Sequence, residues 1–167
     1  HNRELYLTSQ LEFNHDPDAQ CPTWLRFLQE MIVESPGKHD PQLAALLQEA
    51  FGYSFTMDVR LQASFWLYGQ AASGKSTCIE VLQKLAGTAF AHIDLGSLDQ
   101  NHYQLALLPG KRIATCTESP AGGYLADHIF KALVSGDAMQ IRQIRQEPFT
   151  FYPRCKLWWA MNEPPKI

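Results

Sequence analysis

Phe65-Trp66-Leu67-Tyr68-Gly69-Gln70-Ala71-Ala72-Ser73-Gly74-Lys75-Ser76-Thr77 is the stretch on which the fold turns. Its first four residues form a short aromatic and apolar run that suits a buried strand. A glycine-containing turn follows. Ile79, Val81, Leu82 and Leu85 then recur as a helical face that ends at Gly87, so the order is strand, loop, helix. Gly69 to Ser76 fits G-x-x-x-x-G-K-S. Gly69 and Gly74 let the backbone curl so that successive N–H groups point inward at a polyphosphate. The Lys75 ammonium suits the β- and γ-phosphates, and the Ser76 hydroxyl suits Mg²⁺. Thr77 extends the polar start of the helix. The expected ligand is a nucleoside triphosphate such as ATP, held by Gly69, Gln70, Ala71, Ala72, Ser73, Gly74, Lys75, Ser76 and Thr77.

Outward from this loop, strands are expected at 89–93, 112–117 and 156–161, with helical segments near 102–108 and 124–134. Such alternation predicts an α/β fold, a parallel sheet flanked by helices. Met139 to Arg145 alternates in polarity, as does Phe149-Thr150-Phe151 beyond Glu147-Pro148, which predicts a β-hairpin insertion over 138–152. Upstream, Trp24, Phe27, Leu28, Met31 and Ile32 mark a helix over 22–34, with Pro22 in its first turn and Pro36-Gly37 beyond its end. A second helix starts at Asp40 as N-cap and Pro41 at the first helical position, and is expected to stop at Gly52. The chain therefore divides into a small N-terminal helical subdomain, 1–60, and a core, 61–167.

The 167 residues include 46% hydrophobic ones, enough for one compact domain or a core with a small added layer. No apolar run approaches the roughly 20 residues of a membrane-spanning helix, and no secretory leader pattern opens the chain, so a soluble, cytoplasmic protein is expected. The start at His1 and the end at Ile167 suggest an excised piece. Cys21, Cys78, Cys116 and Cys155 lack metal-ligand or disulfide spacing and read as buried, reduced thiols. His92, His102 and His128 likewise show no ligand spacing. A formal net charge of −3 excludes a wholly basic nucleic-acid-binding surface while leaving room for a local basic strip.

Two further positions carry chemistry at expected strand ends. Ile113-Ala114-Thr115-Cys116-Thr117-Glu118 brings a carboxylate to where it reaches a metal ion or its waters. Leu157-Trp158-Trp159-Ala160-Met161-Asn162 ends in a neutral amide, able to donate to a γ-phosphate or to hold a water; a turn asparagine before Glu163-Pro164-Pro165 is the plainer reading. Arg142, Arg145 and Arg154 gather around the expected hairpin, with Lys131 before it and Lys156 after. They form either a solvated basic face or a track for nucleic-acid phosphates.

This ordered set resembles the superfamily 3 helicase domain of phage and plasmid primase-helicases. The likeness runs through the phosphate loop, Gly110-Lys111-Arg112 before the strand to Glu118, Ser135-Gly136-Asp137 with Arg142 and Glu147-Pro148-Phe149, and Lys156-Leu157-Trp158 to Asn162. Tyr6-Leu7-Thr8, Asp16-Pro17-Asp18-Ala19, Cys21-Pro22 and Phe27-Leu28 are similar to the helical segment preceding the ATPase in that family. The resemblance implies an AAA+-like P-loop ATPase, encoded by a phage, mobile element or bacterial host. It would form a ring, usually a hexamer, and move on single-stranded DNA, with a primase domain elsewhere in the full-length chain. It implies Lys75, Glu118 and Asn162 as catalytic residues, Ser76 and Glu118 as the Mg²⁺ ligands, and Arg142 and Arg145 as the DNA-tracking residues of a channel-facing hairpin.

Two departures stand out. Members of that family often carry further carboxylates within three residues of the position of Glu118, where this chain has Ser119-Pro120-Ala121. Their arginine finger follows the polar sensor residue, matched here by Asn162, and would lie beyond Ile167. The chain is thus expected to bind nucleotide better than it hydrolyses it, since such an arginine is worth orders of magnitude in rate. The competing expectations are a small-molecule phosphotransferase and a non-catalytic nucleotide-binding assembly module.

Overall fold

The computed structural model describes residues 13–14, 16–94, 96, 98, 102–116 and 127–164. Helix α1 (Pro22–Met31) leads into a short two-stranded antiparallel pair, β1 (Val33–Ser35) and β2 (Lys38–His39). Helix α2 (Pro41–Ser54) follows. The core then runs β3 (Phe65–Tyr68), α3 (Lys75–Ala86), β4 (Phe90–His92), a 3-10 segment at His102–Leu107, β5 (Ile113–Cys116), α4 (Asp127–Ser135), β6 (Met139–Ile141), β7 (Phe149–Phe151) and β8 (Lys156–Met161).

Strands β3, β8, β5 and β4 form one parallel sheet in that order. The order carries functional weight, because β8 lies between β3 and β5. Residues of β8 and β5 alternate between two apolar clusters, as strands covered on both faces must. Leu157, Trp159 and Met161 join Ala114, Cys116, Ile129 and Leu133 on the α4 side. Trp158 and Ile113 join Cys78, Leu82 and Ala86 of α3 on the other, together with Leu28 and Ile32 of the α1 region and Leu47 and Ala50 of α2. The N-terminal helices thus share one core with α3 and the sheet.

Trp158 is the hub of that second face. Its ring stacks on Phe65 at 4.6 Å and meets Phe51 edge-on at 5.3 Å, while its indole N–H donates to Ser54 Oγ at 2.8 Å. The same contact accounts for a difference from the sequence reading of α2. The helix passes through Gly52 to Ser54, where the Ser54 hydroxyl donates to Ala50 O and accepts from Trp158. A satisfied buried pair outweighs the roughly 1 kcal/mol that a glycine costs inside a helix.

The expected helix over 22–34 ends earlier, at Met31, and the β1–β2 pair replaces its last turn. Here His39 Nδ1 and Asp40 N both bond Ile32 O, fixing the turn tightly enough to override the helical pattern. The segment expected as helix near 102–108 takes the tighter 3-10 form. The expected N-cap is present: Asp40 accepts from Gln42 N and Leu43 N, both at 3.0 Å.

Two expectations about side chains are corrected. Lys156 does not belong to a solvated basic face: it is 2% exposed, because it opens the central strand β8. Its ammonium donates to Thr56 O at 2.8 Å and lies 4.7 Å from the centre of the Tyr53 ring. Burial above all pulls its pKa down to about 8. Cys78, Cys116 and Cys155 are buried thiols as expected, whereas Cys21 is exposed at the start of α1.

Candidate functional site

Parallel strands place the residues that follow them at one edge of the sheet, where the crevices of α/β proteins form. Tyr68 is in register with Met161. One residue later, Gly69 N donates to Met161 O at 3.3 Å, which draws the loop entrance against the end of β8 and so against Asn162. Gly69 and Asn162, 93 positions apart in sequence (162 − 69), become neighbours through this pairing.

Between β3 and α3 the loop takes two left-handed residues, Ala72 (φ 60°) and Gly74 (φ 85°). Gly74 is the N-cap of α3 and offers no side chain, in contrast with Asp40 at the start of α2. The first N–H groups of α3 therefore point out of the helix with no side-chain cap of the kind that closes α2, an arrangement suited to an anion. Lys75 Nζ bends back over the loop to Gly69 O (2.8 Å), Gln70 O (2.7 Å) and Ser73 Oγ (3.3 Å). The loop is thus wrapped around its own cation.

Gly74 is demanded by more than its backbone angle. A Cβ there would stand 2.9 Å from Met31 Sδ and 3.0 Å from Phe27 Cζ. Helix α1 consequently lies directly on the loop, and Met31 also receives the Cys78 thiol at 3.5 Å. Burial pushes the Cys78 thiol up to about 11, so it stays protonated and apolar beneath the loop. Phe27, Glu30 and Met31 share a cleft of about 510 Å³ with Ala72, Ser73, Gly74, Ser76 and Thr77. These three α1 residues were missed from sequence: Phe27 and Met31 fit the apolar stripe of a core helix, and Glu30 carries no spacing signal at all.

The other expected residues fall as follows. Strand β5 ends at Cys116, in register with Trp159, and all four of its residues are buried. Glu118, the expected metal-side carboxylate, lies outside the described residues. Arg142 and Arg145 are exposed on the turn joining β6 to β7, a separate antiparallel pair of the expected kind. Arg142 Nε donates to Gln146 O at 3.0 Å across the turn, and Arg145 sits at φ 63°. Among the described residues no group of three or more His, Cys, Asp or Glu is placed to hold a metal ion. The donor chemistry at Ser76 instead fits a cation bound by one or two protein oxygens together with phosphate. No helix among the described residues is long and apolar enough to cross a membrane.

The sequence profile of a family of unknown function, DUF5906, matches residues 67–167, from inside β3 through the loop to Ile167. The chain belongs to this family. Within this DUF5906 chain, α1 and α2 precede the matched region, although α1 walls the cleft. No curated protein matches the chain. Among solved structures, the apo C-terminal region of NrS-1 is similar with a TM-score of 0.65 and 16% identity, over 89% of this chain and 35% of that one. A second NrS-1 structure, of residues 305–718, gives 0.64 and 15%, over 88% and 35%. JCV helicase, solved with a thiazolopyridine ligand, gives 0.55 and 15%, over 84% and 39%. The DUF5906 chain spans little more than a third of the length of these solved chains. At such identities the likeness is one of fold.

Proposed function

We propose that the DUF5906 chain is the ATP-binding core of a superfamily 3 type DNA helicase, part of a phage- or plasmid-type primase-helicase that assembles as a ring on single-stranded DNA. The observation that carries this reading is the strand order, with β8 between β3 and β5, which brings Asn162 beside the Gly69–Ser76 loop. The fold likeness to JCV helicase supports it.

In this reading the ammonium of Lys75 exchanges the carbonyls of Gly69 and Gln70 for the β- and γ-phosphates of ATP, and the N–H groups of the loop and of the first turn of α3 bind the remaining phosphate oxygens. Ser76 and Glu118 would hold a Mg²⁺ ion, which would neutralise phosphate charge there. Asn162 orients the water that attacks the γ-phosphate in line. Its amide adds no charge of its own, so it does not repel the phosphate. Arg142 and Arg145, solvent-facing on the hairpin turn, bind DNA phosphates as the hairpin moves with the nucleotide cycle.

Nucleotide binding and ATP hydrolysis, measured on the full-length protein with and without single-stranded DNA, test this. Lys75→Ala is expected to abolish nucleotide binding, and Asn162→Ala to reduce turnover by two or more orders of magnitude while leaving binding intact. The double variant Arg142→Ala/Arg145→Ala is expected to lose stimulation by DNA and keep the basal rate. Phosphate transfer from ATP to a metabolite in place of release to water would reject the helicase reading in favour of a phosphotransferase.

A further inference from the structure

We propose that the nucleoside end of the ligand lies against α1, with its base on the Phe27 and Met31 side chains and its ribose hydroxyls donating to the Glu30 carboxylate. This rests on the phosphate-loop reading above and extends it to residues that precede the family-matched region. The direction of the ligand follows from the two ends of the loop. Gly69 is bonded to Met161 beside Asn162, so the terminal phosphate faces the sheet edge. The rest of the molecule leaves past Ser76 and Thr77, and those two residues share their cleft with Phe27, Glu30 and Met31. Its volume of about 510 Å³ is in the usual range for a small-ligand site.

The three α1 side chains divide the work by chemistry. Phe27 is half-buried and backed by the Trp24 ring, stacked at 5.2 Å, which holds it in place. Met31 is anchored by its contact with Cys78. Together they make a fixed apolar platform of the kind that purine faces stack on. Glu30 is the informative residue. A carboxylate at the mouth of a phosphate loop repels phosphate, so its placement is favourable only where it meets hydrogen-bond donors. A carboxylate accepts through both oxygens, and the vicinal 2′ and 3′ hydroxyls of ribose offer two donors side by side.

The test is equilibrium binding of ATP, 2′,3′-dideoxy-ATP and inorganic tripolyphosphate to the full chain and to Glu30→Ala, Phe27→Leu and Lys75→Ala. Glu30 is exposed, so its substitution leaves the core untouched. Glu30→Ala is expected to weaken ATP roughly tenfold, the scale of a lost charge-assisted hydrogen bond, and to leave dideoxy-ATP unchanged and tripolyphosphate equal or tighter. Phe27→Leu should weaken both nucleotides several-fold and spare tripolyphosphate. Equal affinities of wild type and Glu30→Ala for ATP, or an equal loss for ATP and dideoxy-ATP, would overturn the proposal while Lys75→Ala still weakens all three ligands. If Lys75→Ala changes none of them, the phosphate-loop reading itself falls, and this proposal with it.

Discussion

Gly74 is where the loop, α3 and α1 meet, and its hydrogen is a packing requirement as well as a backbone one. Gly74→Ala sets a methyl group 2.9 Å from Met31 Sδ and forces an L-residue into the left-handed region. We expect a loss of about 2–4 kcal/mol in urea denaturation, the sum of the left-handed penalty and an overpacked contact. Met31→Ala removes the contact with sulfur but neither the approach to Phe27 nor the left-handed penalty, so Gly74→Ala should cost less in a Met31→Ala background than in wild type, and still cost something. Lys156 makes a second prediction. Its folded pKa of about 8 lies below a lysine's ordinary value of 10.5, chiefly through burial. Between these values the unfolded chain binds more protons, so the buried ammonium destabilises fully below about pH 8 and is relieved as pH rises toward 10.5. The raised thiols of Cys78 and Cys155 act in the opposite sense above pH 9. Measuring the stability of wild type minus that of Lys156→Met cancels the Cys78 contribution and the part of the Cys155 contribution that comes from burial, and the difference should climb with pH across that window. A flat difference would show that the ammonium is not desolvated.

Among elements, the starts of α2 and α3 obey opposite rules. Helix α2 is closed by Asp40, and Asp40→Ala is expected to cost about 1 kcal/mol in thermal or urea unfolding without changing nucleotide affinity. Helix α3 begins at Gly74 with nothing of the kind, and its stability should rise with phosphate ligands instead. Both starts were legible in the sequence, because capping residues and the G-x-x-x-x-G-K-S spacing are local signals. The strands of the sheet were legible too, each within about two residues. Their order was not: nothing local in Lys156 to Met161 says that this last strand inserts between the first and the third, and that insertion is what bonds Gly69 to Met161 and so brings Asn162 alongside. The β1–β2 pair escaped for a related reason, since Ile32 O is bonded by His39 and Asp40 from across the turn, a contact that no helical periodicity reveals. Glu30 was invisible because a lone exposed glutamate on an amphipathic helix looks like any solvated residue, and only the approach of α1 to the loop puts it in one cleft with Ser73 and Ser76.

For the whole molecule, the question is whether residues 1–60 form a subdomain or a layer of the core. The division read from the sequence follows the change from helical to alternating pattern at Ser64. The packing crosses that boundary at many points, among them the shared cluster of Leu28, Ile32, Leu47 and Ala50 with Leu82 and Trp158, the Trp158 to Ser54 hydrogen bond, Lys156 to Thr56 O, and Arg112 Nη1 to Phe55 O at 3.1 Å. Cutting the chain at 61 removes the apolar cover of one sheet face and leaves a buried indole N–H, a lysine and an arginine each short of an acceptor. An unsatisfied buried donor costs about 1–3 kcal/mol, and the total stability of a domain is only about 5–15 kcal/mol. We therefore expect residues 61–167, expressed alone, to keep much of their far-UV circular dichroism, lose the near-UV signal of Trp158 and bind a hydrophobic dye, the pattern of a collapsed chain without fixed packing. The same segment should regain a cooperative thermal transition when residues 13–60 are restored, and nucleotide affinity should return with it, because α1 supports the loop at Gly74. A cooperative transition and full nucleotide binding in 61–167 alone would instead establish two independent units and detach α1 from the site.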